Sequence, residues 1–220
     1  MKHSTNRILT THVGSLPRPA DIAAAVTAGN ASGPEFDGRL RQAVATVVQQ
    51  QAENGIDVPS DGELSKLGFA NYVDERLTGF EHRPNERPQT ARGRDRKAFA
   101  EFYTELEPRG PGGGGAMVCT GPVSYKGQAV LERDLANFKA ALQGVSVEEA
   151  FVPAIAPGTV ELQRRNEHYK NSEEYLFAIA EAMKPEYKAI VDAGFILQID
   201  RKSTRLNSSH VSESRMPSSA

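Results

Sequence analysis

The sequence predicts an α/β fold, specifically a partial (β/α)8 TIM barrel made of about the first five strand–helix units. Three observations carry this prediction. Short apolar runs alternate with amphipathic helical patterns, each run ends at a glycine-containing or polar turn, and the alternation repeats about five times. Strands that alternate with helices form parallel sheets with right-handed crossovers. A closed barrel needs eight units and typically about 250 residues, so five units leave it open.

Five apolar runs are the candidate strands. They are Ile8–Val13, Ile56–Pro59, Ala116–Thr120, Phe151–Ile155 and Phe195–Ile199. The fourth run is the weakest because a proline lies inside it. The last run is continuously apolar, as expected of a strand buried on both faces. No GxGxxG fingerprint follows the first strand, and no Gly-Lys-Ser/Thr follows the glycine run at 112–115, so nucleotide-binding loops are not predicted.

Helical patterns fill the intervals between these runs. Pro19–Ala28 gives a short helix that ends at Gly29, and apolar residues over Phe36–Val48 share one face of a second helix. Further helical patterns lie near Phe99–Leu106, over 131–142 and over 172–190. In the last of these we expect Ser172 to be the N-cap and Pro185 to kink or split the helix.

Composition excludes several classes of protein. The chain has 26 basic and 28 acidic residues and a net charge of −2, without the basic stripe of a nucleic-acid-binding protein. A single cysteine, Cys119, rules out an intrachain disulfide and fits a reducing compartment. No apolar run reaches the roughly 18 residues of a membrane span, and the polar N-terminus is unlike a signal peptide. We therefore expect a cytoplasmic protein that binds neither membranes nor nucleic acid.

The last twenty residues, Arg201–Ala220, differ in character from the rest. Seven of them are serine, and no apolar periodicity is left. A disordered tail is one interpretation. The strings DRKSTRLNSSH and ESRMPSSA also resemble one reading frame of a short-read sequencing adapter, which would place the end of the authentic chain near Ile199. We therefore treat 1–200 as the folded part and 201–220 as non-native or disordered.

The ends of the predicted strands collect polar residues. They are His12, Gly14 and Ser15 after the first strand, Asp61 and Glu63 after the second, Thr120, Ser124 and Tyr125 after the third, and Asp200 after the fifth. Catalytic groups of strand–helix barrels lie at these carboxyl ends. Several carboxylates on one rim suit the ammonium group of an amino-acid substrate, and the Gly14–Ser15 amides suit its carboxylate.

Structural roles stay open at these positions. His12 is equally compatible with a hydrogen-bonding strand end, and Ser15 and Asp61 are common turn residues. Cys119 has the character of a small buried hydrophobe. The basic residues Arg83, Arg87, Arg92, Arg94, Arg96 and Lys97 form either a solvated loop or a lid that attracts an anionic substrate.

Four segments resemble the cobalamin-independent methionine synthase family, in its short single-barrel branch. They are Thr10–Pro19 (TTHVGSLPRP), Ser60–Glu63 (SDGE), Cys119–Tyr125 (CTGPVSY) and Leu197–Asp200 (LQID), in the family's order. The resemblance implies that Val13, Gly14 and Ser15 hold the amino-acid part of homocysteine. It also implies that Glu63 and Asp200 bind the same substrate, Asp200 through the amine. Possible further rim residues are His12, Asp61, Thr120 and Tyr125.

The resemblance implies a zinc-dependent methyltransferase that forms methionine from homocysteine with a methyltetrahydrofolate donor. The family's zinc ligands are a His-x-Cys pair and a further cysteine on strands after the fifth. This chain has no His-x-Cys and only one cysteine, so we expect it to hold no catalytic zinc and to be inactive by itself. Two alternatives stay open: an alkyltransferase that uses another thiol, such as coenzyme M, and a non-catalytic truncated chain.

Overall fold

The computed structural model describes residues 1–66, 68–86, 97–106 and 115–200, apart from the side chains of Tyr103, Leu106 and Asp200. The predictions for the adapter-like tail, for the glycine run at 112–114 and for the basic stretch at 87–96 fall outside these residues. Within the described part of the chain, no helix is long and apolar enough to cross a membrane.

Helices and strands alternate along the described residues. In chain order they are α1 (Ala20–Thr27), α2 (Pro34–Glu53), α3 (Val73–Arg76), β1 (Phe80–Arg83), α4 (Ala100–Leu106), β2 (Ala116–Cys119), α5 (Gln128–Ala141), β3 (Phe151–Ile155), α6 (Pro157–Gln163), β4 (Arg165–Asn166), α7 (Ser172–Asp192) and β5 (Ile196–Asp200). The predicted long helices and three of the predicted strands are present with small shifts of their ends. The chain therefore has a mixed α/β fold.

The strands pair in two small sheets. β3 and β5 are parallel, with Phe151 opposite Ile196 and Ile155 opposite Asp200. β2 is antiparallel to β1 and parallel to β4. The third predicted strand thus pairs with a segment that the sequence presents as a polar loop. The described strands therefore do not confirm a partial TIM barrel of five parallel units.

The first two predicted strands are reduced to a single parallel bridge between Thr11 and Val58. The Thr10 carbonyl accepts hydrogen bonds from the Asp57 amide (3.1 Å) and the Val58 amide (3.0 Å). On the other side of this segment, the Pro59 carbonyl accepts from the Phe151 amide at 3.0 Å. The segment therefore lies between the N-terminal residues and β3. A regular ladder does not form because the Asp57 carboxylate, and not a backbone carbonyl, accepts from the Thr10 amide (2.7 Å).

The Asp57 carboxylate binds the N-terminal segment, and the stability that this contact contributes depends on pH. Two hydrogen bonds from Arg7, each 2.6 Å, and the bond from the Thr10 amide hold the pKa of the Asp57 carboxyl below its usual range. A lowered carboxyl pKa contributes stability above the ordinary value and loses it as the pH falls. We expect Asp57→Asn to speed hydrogen exchange at the Thr10 amide at pH 6, with a smaller difference below about pH 4. Asp192→Asn, at an exposed residue of α7, is the control, and equal exchange in wild type and Asp57→Asn would contradict the prediction.

The larger core anchors the residues that follow the second predicted strand. It packs α2 and α5 against β3 and includes Leu40, Phe138 and Phe195, with the last two rings stacked 4.8 Å apart. Leu64 belongs to the same cluster and is fully buried. Burying a leucine side chain contributes about 1.5–3 kcal/mol. The chain around Leu64 is therefore held firmly against the core.

The last helix tests two predictions. The N-cap is Asn171, whose side chain accepts from the Glu174 amide at 2.8 Å, and Ser172 is the first helical residue. Pro185 lies inside a continuous α7, so the helix is not split there. A proline removes the hydrogen bond to the carbonyl four residues earlier, here that of Glu181. Both residues lie on the exposed face of the helix, where water replaces the lost bond.

The two candidate caps differ in a measurable way. We expect Asn171→Ala to lower the free energy of unfolding by about 1 kcal/mol, because the Glu174 amide loses its acceptor. Ser172→Ala should change it by no more than about 0.5 kcal/mol. Urea unfolding followed by circular dichroism measures both, and a larger loss in Ser172→Ala than in Asn171→Ala would reverse the assignment of the cap.

Candidate substrate site

The residues after Pro59 form a buried turn that presents two acids. The Ser60 hydroxyl accepts from the Gly62 amide (3.1 Å), and the Asp61 carboxylate accepts from the Glu63 amide (3.0 Å). Glu63 has a φ of 56°, in the left-handed region that a side chain disfavours by roughly 1–2 kcal/mol. Strained backbone at a buried acidic residue is typical of functional sites. The turn therefore points to Glu63 as a residue selected for its position.

Glu63 contacts the first polar loop. The Ser15 hydroxyl donates to Glu63 Oε2 at 2.9 Å, and the Leu16 amide donates to the Gly62 carbonyl at 3.0 Å. A Cβ at Gly62, whose φ is 69°, would lie 3.3 Å from Leu16 Cβ, so glycine allows this close approach. Two of the motifs that carry the family resemblance thus meet side by side in the structure.

Arg18 holds the same turn through its backbone. Its Nη2 donates to the Glu63 carbonyl at 2.9 Å, its Nε donates to the Leu64 carbonyl at 3.2 Å, and Nη2 also contacts the Lys66 carbonyl. Partial burial lowers the pKa of the Arg18 guanidinium. Arg18 is not among the predicted site residues, although its place between two prolines at the end of the first motif was the available signal.

His12 and Asp61 flank the turn. His12 Nε2 lies 3.4 Å from the Ser60 hydroxyl oxygen, and the His12 ring is 6.0 Å from that of Phe151. His12 Nδ1 is buried and has no hydrogen-bond partner among the described residues, and Asp61 is 5% exposed. His12, Ser15, Asp61 and Glu63 are therefore gathered at one place, as the strand-end prediction requires.

The remaining predicted site residues either lie away from the buried turn or form no side-chain contact with it. Val13 is exposed, and Gly14 forms the turn with a φ of 88°. Thr120 is exposed, with its amide bonded to the Gly79 carbonyl. Tyr125 donates to Glu186 Oε2 at 2.9 Å, within a different cluster. The backbone of Asp200 ends β5 opposite Ile155, and its side chain is outside the described part of the chain.

Arg76 is the centre of a buried charge cluster that the sequence patterns did not predict. Arg76 Nη2 contacts Asp134 Oδ2 at 2.9 Å, and its Nη1 contacts Glu186 Oε2 at 3.1 Å. The Tyr72 hydroxyl donates to Glu186 Oε1 at 2.9 Å. Burial raises the pKa of Asp134, and burial together with the Glu186 charge raises the pKa of Tyr125. The available signal was an acid on the apolar face of each of α5 and α7.

The described residues do not fit a zinc site. No three His, Cys, Asp or Glu side chains among them are grouped so as to hold a metal ion. Cys119 is buried, its thiol donates to the Gly121 carbonyl (3.4 Å), and burial raises its pKa. A raised pKa disfavours the thiolate that metals bind.

Known proteins resemble this chain over most of its described length. Residues 8–98 match the family model of the cobalamin-independent synthase catalytic domain. The methionine synthase of Sulfolobus acidocaldarius is 28% identical over 195 residues, which cover 87% of this chain and 50% of the relative. The methionine synthase of Saccharolobus solfataricus is 27% identical over 207 residues, which cover 92% and 55%. The chain thus spans about half the length of the curated relatives it matches.

Two solved structures share the fold. A B12-independent methionine synthase from Shewanella sp. W3-18-1, in complex with selenomethionine, matches with a TM-score of 0.62 at 25% identity, over 87% of this chain and 51% of that one. A putative vitamin-B12-independent methionine synthase from Listeria monocytogenes matches with a TM-score of 0.58 at 19% identity, over 89% and 53%, which supports the fold alone.

The α/β fold is shared with these methionine synthases, and two of the motifs that carry the resemblance lie side by side in it. The family resemblance that the four motifs predict is confirmed: the chain is similar to cobalamin-independent methionine synthases over most of its length.

Proposed function

We propose that this chain is the N-terminal part of a zinc-dependent methyltransferase that forms methionine from homocysteine with a methyltetrahydrofolate donor. The observation that carries the proposal is the contact between Ser15 and Glu63, because it joins the two motifs that the family resemblance assigns to the amino acid. In this proposal residues 1–200 are about the first five strand–helix units of a TIM barrel, and 201–220 play no part in it.

The proposed binding of homocysteine follows from charge. The backbone amides of Val13, Gly14 and Ser15 donate to the substrate carboxylate, and Glu63 accepts from the substrate ammonium. Asp200 contacts the same ammonium from the end of β5. Hydrogen bonds to charged groups are worth about 1.5–3 kcal/mol, roughly twice the neutral value, so a buried carboxylate favours an ammonium ligand. His12, Asp61, Thr120 and Tyr125 are the proposed further rim residues.

Zinc and the methyl donor belong to the complete protein in this proposal. Because the described residues do not fit a zinc site, we assign no zinc ligand to this chain and derive no step from the metal. By itself the chain is proposed to be inactive. Its small sheets expose apolar residues such as Ile199, which favours aggregation of the isolated chain.

The test begins with the source DNA, sequenced across the codon of Ile199 with long reads. A frame that continues into a His-x-Cys pair and a later cysteine supports the proposal, and a stop after the codons for 201–220 contradicts it. The extended protein is then assayed for methyl transfer to homocysteine and, in parallel, to coenzyme M. Turnover of coenzyme M with inert homocysteine would overturn the proposed substrate while leaving the class of reaction intact.

A further inference from the structure

Lys66 is a buried cation without an acidic partner. It is 4% exposed, its Nζ donates to the Pro153 carbonyl at 2.6 Å, and Nζ lies 4.7 Å from the centre of the Tyr72 ring. An ammonium group has three N–H donors, and one carbonyl and one ring face leave at least one of them free. Among the described side chains, no carboxylate forms an ion pair with Lys66.

The nearby acids are either engaged elsewhere or also unpaired. Asp134 and Glu186 are both bound by Arg76, at 2.9 and 3.1 Å. Asp61 and Glu63, on the same turn as Lys66, form no ion pair with a described cation. Arg18 donates to backbone carbonyls, and it acts on Asp61 and Glu63 only through its charge, without an ion-pair contact. Burying unpaired charges is costly, so a fold that keeps them apart on one turn calls for an explanation.

The turn fixes the relation between these charges. The Lys66 amide donates to the Glu63 carbonyl at 3.1 Å, and the Lys66 carbonyl accepts from Arg18. An ammonium and a carboxylate are thus held three residues apart, without neutralising one another. A zwitterion complements such a pair, because each of its two charges meets the opposite charge.

We propose that Lys66 binds the carboxylate of the amino-acid substrate while Glu63 binds its ammonium. The inference rests on the proposed function and deepens it, because it adds a full positive charge to the neutral amides of the Gly14–Ser15 turn. It makes Lys66 a specificity residue that selects amino-acid thiols over thiols without a carboxylate. The competing structural role is to satisfy the Pro153 carbonyl, which lies on the edge of β3 where the chain turns away after Pro59.

The test uses the 220-residue chain and three ligands whose Kd is measured by calorimetry. They are L-methionine, 4-(methylthio)butanoate, which lacks the ammonium, and 3-(methylthio)propylamine, which lacks the carboxylate. Lys66→Met should weaken L-methionine and the butanoate about tenfold or more and leave the amine unchanged. Glu63→Gln should weaken L-methionine and the amine and leave the butanoate unchanged. Lys188→Met, on the exposed face of α7, is the matched control.

Two further measurements separate charge from fold. Lys66→Arg keeps the charge and should retain most of the affinity for L-methionine, and urea unfolding checks that each variant is folded. Equal weakening of all three ligands by Lys66→Met, or no weakening, overturns the carboxylate role. If none of the ligands binds the wild-type chain, the amino-acid site and the role of Lys66 both fall. A further outcome is that Lys66→Met weakens binding of the butanoate while Glu63→Gln leaves the Kd of L-methionine unchanged. That outcome would support the carboxylate role of Lys66 and overturn the proposed recognition of the ammonium by Glu63.

Discussion

Replacing Arg76 with methionine should lower the free energy of unfolding by about 3–5 kcal/mol. Arg76 is 3% exposed and neutralises Asp134 and Glu186, which are themselves buried. Its side chain also packs against Gly127, where a Cβ would lie 2.7 Å from Arg76 Cγ. Removing Arg76 leaves the buried Glu186 charge without a described cation, which costs more than the pair itself contributes, whereas Asp134 keeps its contact with Arg133 at 3.0 Å. Urea unfolding followed by circular dichroism measures the loss.

The pH dependence and a compensating variant identify the cause. Burial already raises the pKa of Asp134, so its neutral form is favoured as the pH falls. The loss in Arg76→Met should therefore be largest at neutral pH and shrink in acid. Adding Asp134→Asn and Glu186→Gln to Arg76→Met should recover much of the stability. Lys188→Met removes an exposed pair with Asp192 and should cost less than about 1 kcal/mol. A loss that is independent of pH and not recovered would mean that packing, and not charge, dominates.

Local patterns predicted the long helices and the last strands well, but not the short helices α3 and α6. The apolar face over Phe36–Val48 gave α2, and the continuous apolar run gave β5, although β5 is not buried on both faces as expected, since Ile199 is 50% exposed. Phe151–Ile155 is a strand in spite of Pro153, because the backbone groups of successive residues face opposite edges, so that every second residue faces the same edge. The amide of Phe151 faces Pro59, so Pro153, two residues on, removes no bond to β5.

Strand pairing could not be predicted from local patterns. Phe80–Arg83 has the mixed burial of a half-exposed strand and lies in a stretch rich in charge, so its sequence resembles a loop. Its pairing with β2 depends on residues more than 30 positions away, for instance Phe80 opposite Cys119. Likewise, Asp57 displaces a backbone acceptor for Thr10 through a side-chain contact that no periodicity reveals.

The candidate site was likewise predicted only in part, because some of its features depend on tertiary contacts. Motif order predicted that the Gly14–Ser15 turn and Glu63 belong to one site, and the structure joins Ser15 to Glu63. Lys66 and Arg76 were missed because an isolated cation in a sequence normally indicates an exposed residue. Only the tertiary structure shows that both are buried and that one has acidic partners while the other has none.

Three substitutions at Glu63 should separate its charge from its backbone strain. Glu63→Gln keeps the side-chain shape and removes the charge, so affinity for L-methionine should fall about 10- to 100-fold while the fold is retained. Glu63→Ala keeps the left-handed φ of 56° and its cost, whereas Glu63→Gly relieves it. The strain that glycine relieves, roughly 1–2 kcal/mol, exceeds the roughly 0.5–1 kcal/mol that glycine costs through its greater loss of entropy on folding. Glu63→Gly should therefore be more stable than Glu63→Ala by about 1 kcal/mol.

Calorimetry and urea unfolding measure the two effects independently on the same proteins. Glu181→Gln, at an exposed residue of α7 that pairs with Lys184, is the matched control and should change neither quantity. If Glu63→Gly is less stable than Glu63→Ala, the left-handed backbone carries no strain at this position. If Glu63→Gln binds L-methionine as tightly as the wild type, the buried carboxylate is not the ammonium partner. Loss of binding in Glu63→Gln together with a more stable Glu63→Gly would show that the strain is retained because this turn positions the carboxylate for its ligand.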